Sequence, residues 1–405
     1  MSERLKLILR ILAFLGVAFV LGLLLFLLFF RTGPRIAPIP EVTPQADIPA
    51  GGLSPADIGS PDGRDPVDPD AGGRLDASPV ADGGPTLTLQ LTSSPIRATN
   101  ISGGSAINYY DPADGRFYTI DSEGNVIELS SASFPNAETV EISNSGEVAA
   151  IEFPDGSNIL FDFTSGQQTS LPSHWTEFEF SDDSDTVASK AIGIDPSNRS
   201  LIISSSDGAR TTTVASLGTN ESAVQVNQSP SDQVVGFSRT GETQTGFGRE
   251  QIYLIGADGN DAGALVVEGG NFSAIWSPTG SHILYSVGEA ANDYRASLWH
   301  VKGTGDVGSN RIRIDLETWV EKCTFFSTDT VYCAVPGEGV IQSGLSHYLV
   351  DAPDDVYRIN TLTGQSYLVG SPVLDLQMDN LFVTADESDL YFTDQVGRLH
   401  VMRLN

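Results

Sequence analysis

The sequence predicts an all-β chain, a seven-bladed β-propeller preceded by one transmembrane helix and an unstructured linker. Three observations carry this. A strand–turn–strand pattern recurs seven times, an uncharged apolar run opens the chain, and a stretch rich in proline, glycine and aspartate lies between them. The chain has 405 residues and a formal net charge of -30. Such a charge repels nucleic-acid phosphates, and no basic patch with interleaved aromatics offsets it. Nucleic acid is therefore excluded as a partner.

The first element, residues 1–30, is expected to be a cytoplasmic tip and membrane anchor. Residues 11–30 hold no charged side chain, and at about 1.5 Å per helical residue such a run spans the hydrocarbon core. Arg4, Lys6 and Arg10 precede it, which places the N-terminus in the cytoplasm and the rest outside. A cleaved signal peptide would have an apolar core of about 7–15 residues and a small-residue cleavage site; this run is longer and "FFRTGPR" closes it. The expected localisation is the cell membrane, single-pass, with the C-terminal domain extracytoplasmic.

The second element, residues 31–85, contains eleven prolines, nine glycines and eight aspartates. It cannot bury enough apolar surface to offset the entropy of ordering, and it is expected to be a disordered tether. Its acidic run "DGRDPVDPDAGG" lacks the spacing of a calcium loop.

The third element, residues 86–405, is the ring. "FSAIWSPTGSHILYSV" beginning at Phe272, "AVQVNQSPSDQVVGFS" at Ala223 and "TVEISNSGEVAAIEF" at Thr139 share one plan of alternating strand, polar turn and alternating strand. Aligning the turns equates Asp111, Ser143, Ser181, Ser229, Ser277, Ser327 and Ala385, at spacings of 32, 38, 48, 48, 50 and 58. Short strands repeating every 40 to 50 residues mark propeller blades. Ser277 then reads as a turn residue rather than a nucleophile, since no G-x-S-x-G surrounds it. The last unit ends one strand short. A strand at Leu87–Leu91 is expected to supply it as the outermost strand of the final blade, which closes the ring. Trp175, Trp276, Trp299 and Trp319 are expected to pack between blades.

Cys323 and Cys333 flank the turn "STD" and oppose each other if the hairpin centres on Thr328. In an extracytoplasmic domain they are expected to form a disulfide.

The search for chemistry finds no catalytic, cofactor or metal constellation. Gly303, Gly305 and Gly308 spell G-x-G-x-x-G, but a strand follows where a dinucleotide site needs a helix. The five histidines are read as scattered over different repeats, away from ligand spacing. Two irregular stretches stand out as binding loops. One is "PGEGVIQSGLSHYLVDAPDD", residues 336–355, with Val340, Ile341, Leu345, Tyr348 and Leu349; the other carries Asp293, Tyr294 and Arg295.

The stretch "WSPTGSHILYS…SLWHV" resembles the propeller repeats of the TolB and WD40-like class, whose usual form is W-S-P-D-G-x-x-I-x-Y. The match is close over residues 272–301, fair over 223–258 and degenerate elsewhere. Thr279 stands where the class has Asp. The resemblance implies the fold. The order of anchor, spacer and lone propeller resembles membrane-anchored propellers of uncultivated bacteria. The expected function is a non-catalytic scaffold, monomeric and without cofactor, that binds a protein, peptide or glycan on one propeller face. The alternative is a hydrolase or lyase using acids at the channel mouth.

Overall fold

The computed structural model describes residues 77–121, 123–241, 248–337 and 350–405. The anchor and residues 31–76 lie outside the described residues, as do Val340, Ile341, Leu345, Tyr348 and Leu349. Among the described residues no helix is long and apolar enough to cross a membrane.

The chain starts with two short strands, β1 (Pro85–Thr86) and β2 (Thr88–Gln90). Blade 1 holds β3 (Arg97–Ser102), β4 (Ala106–Asp111), β5 (Arg116–Ile120) and β6 (Val126–Glu128). Blade 2 holds β7 (Thr139–Ile142), β8 (Val148–Glu152), β9 (Asn158–Asp162) and β10 (Gln168–Leu171). Blade 3 holds β11 (Trp175–Phe180), β12 (Thr186–Ile192), β13 (Arg199–Ser205) and β14 (Thr211–Ser216). Blade 4 holds β15 (Val224–Val226), β16 (Val234–Ser238), β17 (Glu250–Gly256) and β18 (Asp261–Val267). Blade 5 holds β19 (Gly270–Trp276), β20 (His282–Gly288), β21 (Ala296–Lys302) and β22 (Ile312–Ile314). Blade 6 holds β23 (Cys323–Ser327), β24 (Thr330–Pro336), β25 (Asp354–Asn360) and β26 (Ser366–Pro372). Blade 7 holds β27 (Asp379–Val383), β28 (Asp389–Thr393) and β29 (Leu399–Arg403). Its fourth strand is β2, which runs antiparallel to β29 with Thr88 opposite Met402 and Gln90 opposite His400.

The protein is thus an all-β, seven-bladed propeller. The first strands of the blades are innermost, and β27 meets β3 to complete the circle. Each blade is apolar on both faces because each is sandwiched by neighbours. The core is accordingly a ring of slabs, one in every gap. Ile151 and Phe161 fill the gap between blades 1 and 2, Phe180 and Val187 that between 2 and 3, and Leu201 and Val235 that between 3 and 4. Phe237, Trp276 and Tyr285 fill the 4–5 gap, with Trp299 packed alongside. Leu298 and Val331 fill the 5–6 gap, Val356 and Phe392 the 6–7 gap, and Tyr109 and Leu399 the 7–1 gap.

The first turn of each blade has a physical signature. The Oγ of Ser143, Ser181, Ser229 and Ser277 accepts the backbone N–H five residues on, at 3.0 to 3.1 Å. The serine therefore ties the two strands together. Gly280 sits at φ +65 and lies so close to Ser231 of the preceding blade's turn that a Cβ would meet its backbone nitrogen at 2.7 Å. Only glycine suits that position.

Two alignments need correction. In blade 1 the first turn is Gly103–Gly104–Ser105, and Asp111 belongs to the second turn, between β4 and β5. The anomalous spacing of 32 came from that one-strand slip. In blade 7 the capping hydroxyl is that of Thr384, which accepts from Asp389 N at 3.0 Å, so Ala385 is one place late. Two histidines also share a blade: His282 and His300 stack in blade 5, ring centroids 5.0 Å apart. His300 is 2% exposed with neither nitrogen hydrogen-bonded among the described residues. Burial pushes it down to about 4, so this ring packs as a neutral group, and burial lowers His282 as well.

The chain reaches the ring ahead of β1. Ala81 N donates to Arg403 O and Gly83 N to Val369 O, so these residues of the expected tether are held against blades 6 and 7. Cys323 pairs directly with Cys333 across β23 and β24, and the two form a disulfide.

Beside that hairpin lies a buried ion pair. Lys322 Nζ donates to Asp354 Oδ2 at 2.6 Å and to Met378 O at 2.8 Å, and Met378 N donates to the same carboxylate oxygen at 2.7 Å. Burial raises the Asp354 carboxyl while Lys322 opposes the shift. This pair bolts blade 6 to blade 7. Replacing Lys322 with Met should cost about 3–5 kcal/mol, because Asp354 is left buried without its cation. Urea unfolding of the variant is the measurement; a loss under about 1 kcal/mol would show that the pair is not coupled to folding.

Candidate functional site

The topology sorts the connections onto two faces. Connections between blades and the second turns lie on one face, called upper here; first and third turns lie on the lower face. The second turns are tight in blades 1 to 3, at residues 112–115, 153–157 and 193–198. In blades 4 to 6 they lengthen to 239–249, 289–295 and 337–353. Blades 4 and 6 therefore carry their longest turns on the same face, with the seven-residue second turn of blade 5 between them.

Within blade 5 this connection is a single 3-10 turn, Ala290–Asn292, followed by Asp293 and Tyr294. Both are left-handed, with φ of 51 and 57, a conformation that L side chains avoid unless held. The hold is local. Tyr294 N donates to Glu289 O at 2.8 Å. Arg295 reaches back to Asn292 Oδ1 at 2.9 Å and across to Glu317 Oε2 at 2.8 Å. Arg295 is thus committed to bracing the loop. Tyr294 is 58% exposed and presents its ring at the tip. Below it Glu289 accepts from Trp299 Nε1 at 2.5 Å, and Arg311 stacks on the Trp299 ring at 5.6 Å.

The expected insertion in blade 6 needs redrawing. Pro336 closes β24 opposite Asp354, which opens β25. The connection proper is residues 337–353, and Asp354 belongs to the buried pair with Lys322.

A second feature was invisible as a motif. Glu141 and Glu179 occupy the innermost strands β7 and β11, each two residues before the capping serine of its blade. Asn227 holds the same place in blade 4 and donates to Ala274 O at 3.0 Å. The topology places all three on the wall of the central channel. Burial pushes Glu141 up to about 8, and the neighbouring Glu179 adds to the shift. Burial pushes Glu179 up to about 7, opposed by a hydrogen bond from the Gln228 backbone. A carboxyl that keeps its proton near neutrality can act as a hydrogen-bond donor or general acid. The clue lay in their identical offset from the turn serines. Among the described residues no group of three or more His, Cys, Asp or Glu side chains is arranged to hold a metal ion.

No family model matches the chain, and no curated relative matches it. Solved structures do resemble it. An oligogalacturonate lyase in complex with manganese shares 11% identity at a TM-score of 0.50, over 78% of this chain and 93% of that one. An oligogalacturonate lyase from Vibrio parahaemolyticus shares 10% at 0.50, over 78% and 93%. The Cps50 (Swd1) propeller domain from Myceliophteria thermophila shares 12% at 0.51, over 79% and 100%. A lyase and a WD40-type propeller align equally well, so the likeness shows the fold and does not separate chemistries.

The channel pair generates a pH prediction. In the folded ring Glu141 holds its proton up to about 8, whereas its ordinary value is 4.5. Between those values the unfolded chain binds fewer protons, so stability falls as pH rises through this window. Glu141→Gln should therefore match the parent's melting temperature at about pH 5 and exceed it at about pH 9. Parallel melting curves across that range would mean the carboxyl is ionised in the ring.

Proposed function

We propose that this chain is a membrane-anchored, extracytoplasmic scaffold that binds a protein partner through the upper face of blades 4 to 6. The observation that carries the reading is Tyr294, held exposed at the tip of the blade 5 second turn, on the same face as the long second turns of blades 4 and 6. An exposed aromatic on a braced loop loses little side-chain entropy on contact, and tyrosine is enriched at interface hot spots. The Cys323–Cys333 disulfide supports an oxidising location for the ring. The uncharged run at residues 11–30 supports the anchor. Closure by the chain's own strands supports a monomer, since the ring needs no second copy to complete its sheets.

A photo-crosslinking amino acid at Tyr294, carried in the full-length chain in its native membrane, tests this. One discrete cross-linked protein is expected from position 294 and none from Thr164, an exposed third-turn residue on the lower face. Removal of residues 338–349, which spares Asp354, should weaken the product. Equal labelling from both positions, or none from either, would refute the reading.

A second reading rests on Glu141 and Glu179. Their raised carboxyls support a hydrolase or lyase site in the channel, with the more firmly protonated Glu141 as general acid. Turnover abolished equally by Glu141→Gln and Glu179→Gln on a screened glycan or peptide substrate would favour it. Activity that survives both changes would end it.

A further inference from the structure

An open cleft of about 820 Å³ lies on the upper face, at the outer rim of the gap between blades 1 and 2. Its size falls within the range that holds small ligands. Three chain segments build it: the connection from blade 1 to blade 2, the second turn of blade 2, and the outer strand β10 with Ser173 beyond it.

The cleft has a rigid floor. Phe134 is buried and meets Phe161 edge-on at 4.8 Å. Its carbonyl accepts from the Tyr110 hydroxyl at 2.7 Å, and its N–H donates to Gly115 O at 2.6 Å. Gly115 sits so close that a Cβ would meet Pro135 N at 2.7 Å. The wall carrying Pro135 and Asn136 is therefore fixed by packing, as a preformed site requires.

The lining has a distinct chemistry. Asn136 and Gln168 contribute amides, and Ser170 and Ser173 contribute hydroxyls. Among the described residues none of these four side chains is engaged in a hydrogen bond within the protein. Each group can both donate and accept. Phe153 and Pro154 add half-buried and exposed ring surface. The one ionisable side chain is Asp155, and its Oδ1 already accepts from Ser157 N at 2.9 Å and Ser157 Oγ at 2.6 Å. Those bonds hold its carboxyl below the usual range.

This lining excludes several ligand classes. An anion would meet no cation in the cleft and a protein of net charge -30 around it. An apolar molecule would strip water from amides and hydroxyls without replacing their hydrogen bonds. A sugar chain satisfies both demands. Its hydroxyls donate and accept, and the C–H faces of its rings pack on phenylalanine and proline. We propose that this cleft binds a segment of neutral oligosaccharide. The site is separate from the long turns of blades 4 to 6 and stands or falls independently of them.

The test is calorimetric titration of the full-length chain, solubilised in a detergent without a sugar headgroup. Cellohexaose, maltohexaose and chitohexaose serve as neutral probes and hexagalacturonate as the anionic control. Saturable binding of at least one neutral probe is expected. Asn136 lies at φ +64, which glycine adopts without strain, so Asn136→Gly combined with Gln168→Ala removes both amides while sparing the fold. That variant should bind about tenfold more weakly with an unchanged melting temperature. Tyr294→Ala should bind as the parent does. Absence of saturable binding by all three neutral probes, binding indifferent to the cleft variant, or tighter binding of hexagalacturonate would overturn the proposal.

Discussion

The ring depends on one sheet joint. Three residues of β2 hydrogen-bond to β29 and supply the fourth strand of blade 7, joining residues more than 300 apart in the chain. Leu399 N also donates to the Thr92 hydroxyl at 3.0 Å, a buried bond across the same joint. Without this pairing blade 7 would present an open edge. The parallel pair of β1 with β26 adds a fifth strand to blade 6 and sets the course of the chain into the joint. Blades 1 to 5 are local, each built from four consecutive strands. The fold is thus a series of local structures made into one ring by distant contacts between its two ends.

The same layout governs where polar groups sit. Inter-blade gaps are filled by aliphatic and aromatic side chains, so polar residues on the inner strands gather toward the channel or bond to the next blade's backbone. Asn100 donates to Ser143 O at 2.6 Å and Asn227 to Ala274 O. Glu141 and Glu179 hold places comparable to that of Asn227, as carboxyls rather than amides. A protonated carboxyl resembles an amide in offering a donor, which explains how two acids fit beside each other on this wall. The upper face differs in kind: its long turns and its cleft are products of variable connections, not of the ring's own requirements.

Much of this was legible in the sequence, for identifiable reasons. The capping hydroxyl of each first turn has a fixed chemical task, so serines at Ser143, Ser181, Ser229 and Ser277 announce their blades. Blade 1 was misaligned because two glycines do the turning there and the Ser102 hydroxyl accepts from the Asn108 side chain rather than from a backbone N–H five residues on. The pairing of Cys323 with Cys333 was legible because a hairpin's register follows from its turn. The carboxyls of Glu141 and Glu179 were not, since they come together only when blade 3 packs against blade 2. The cleft was equally hidden, because its walls come from three segments separate in the sequence. The stacked His282 and His300 escaped notice because their strands are adjacent in space but eighteen residues apart along the chain.

The disulfide has a consequence for how the chain oxidises as it folds. Its two sulfurs are the only ones the cysteines of this chain provide, and they face each other within one hairpin. With one pair there is one intramolecular bridge, so oxidation cannot scramble the chain against itself. The bond can also form as soon as β23 and β24 have emerged, before blade 7 or the closing joint exists. Under oxidising conditions the folding chain therefore acquires its covalent lock early, needs no isomerase to correct it, and leaves no unpaired thiol to trap a neighbour.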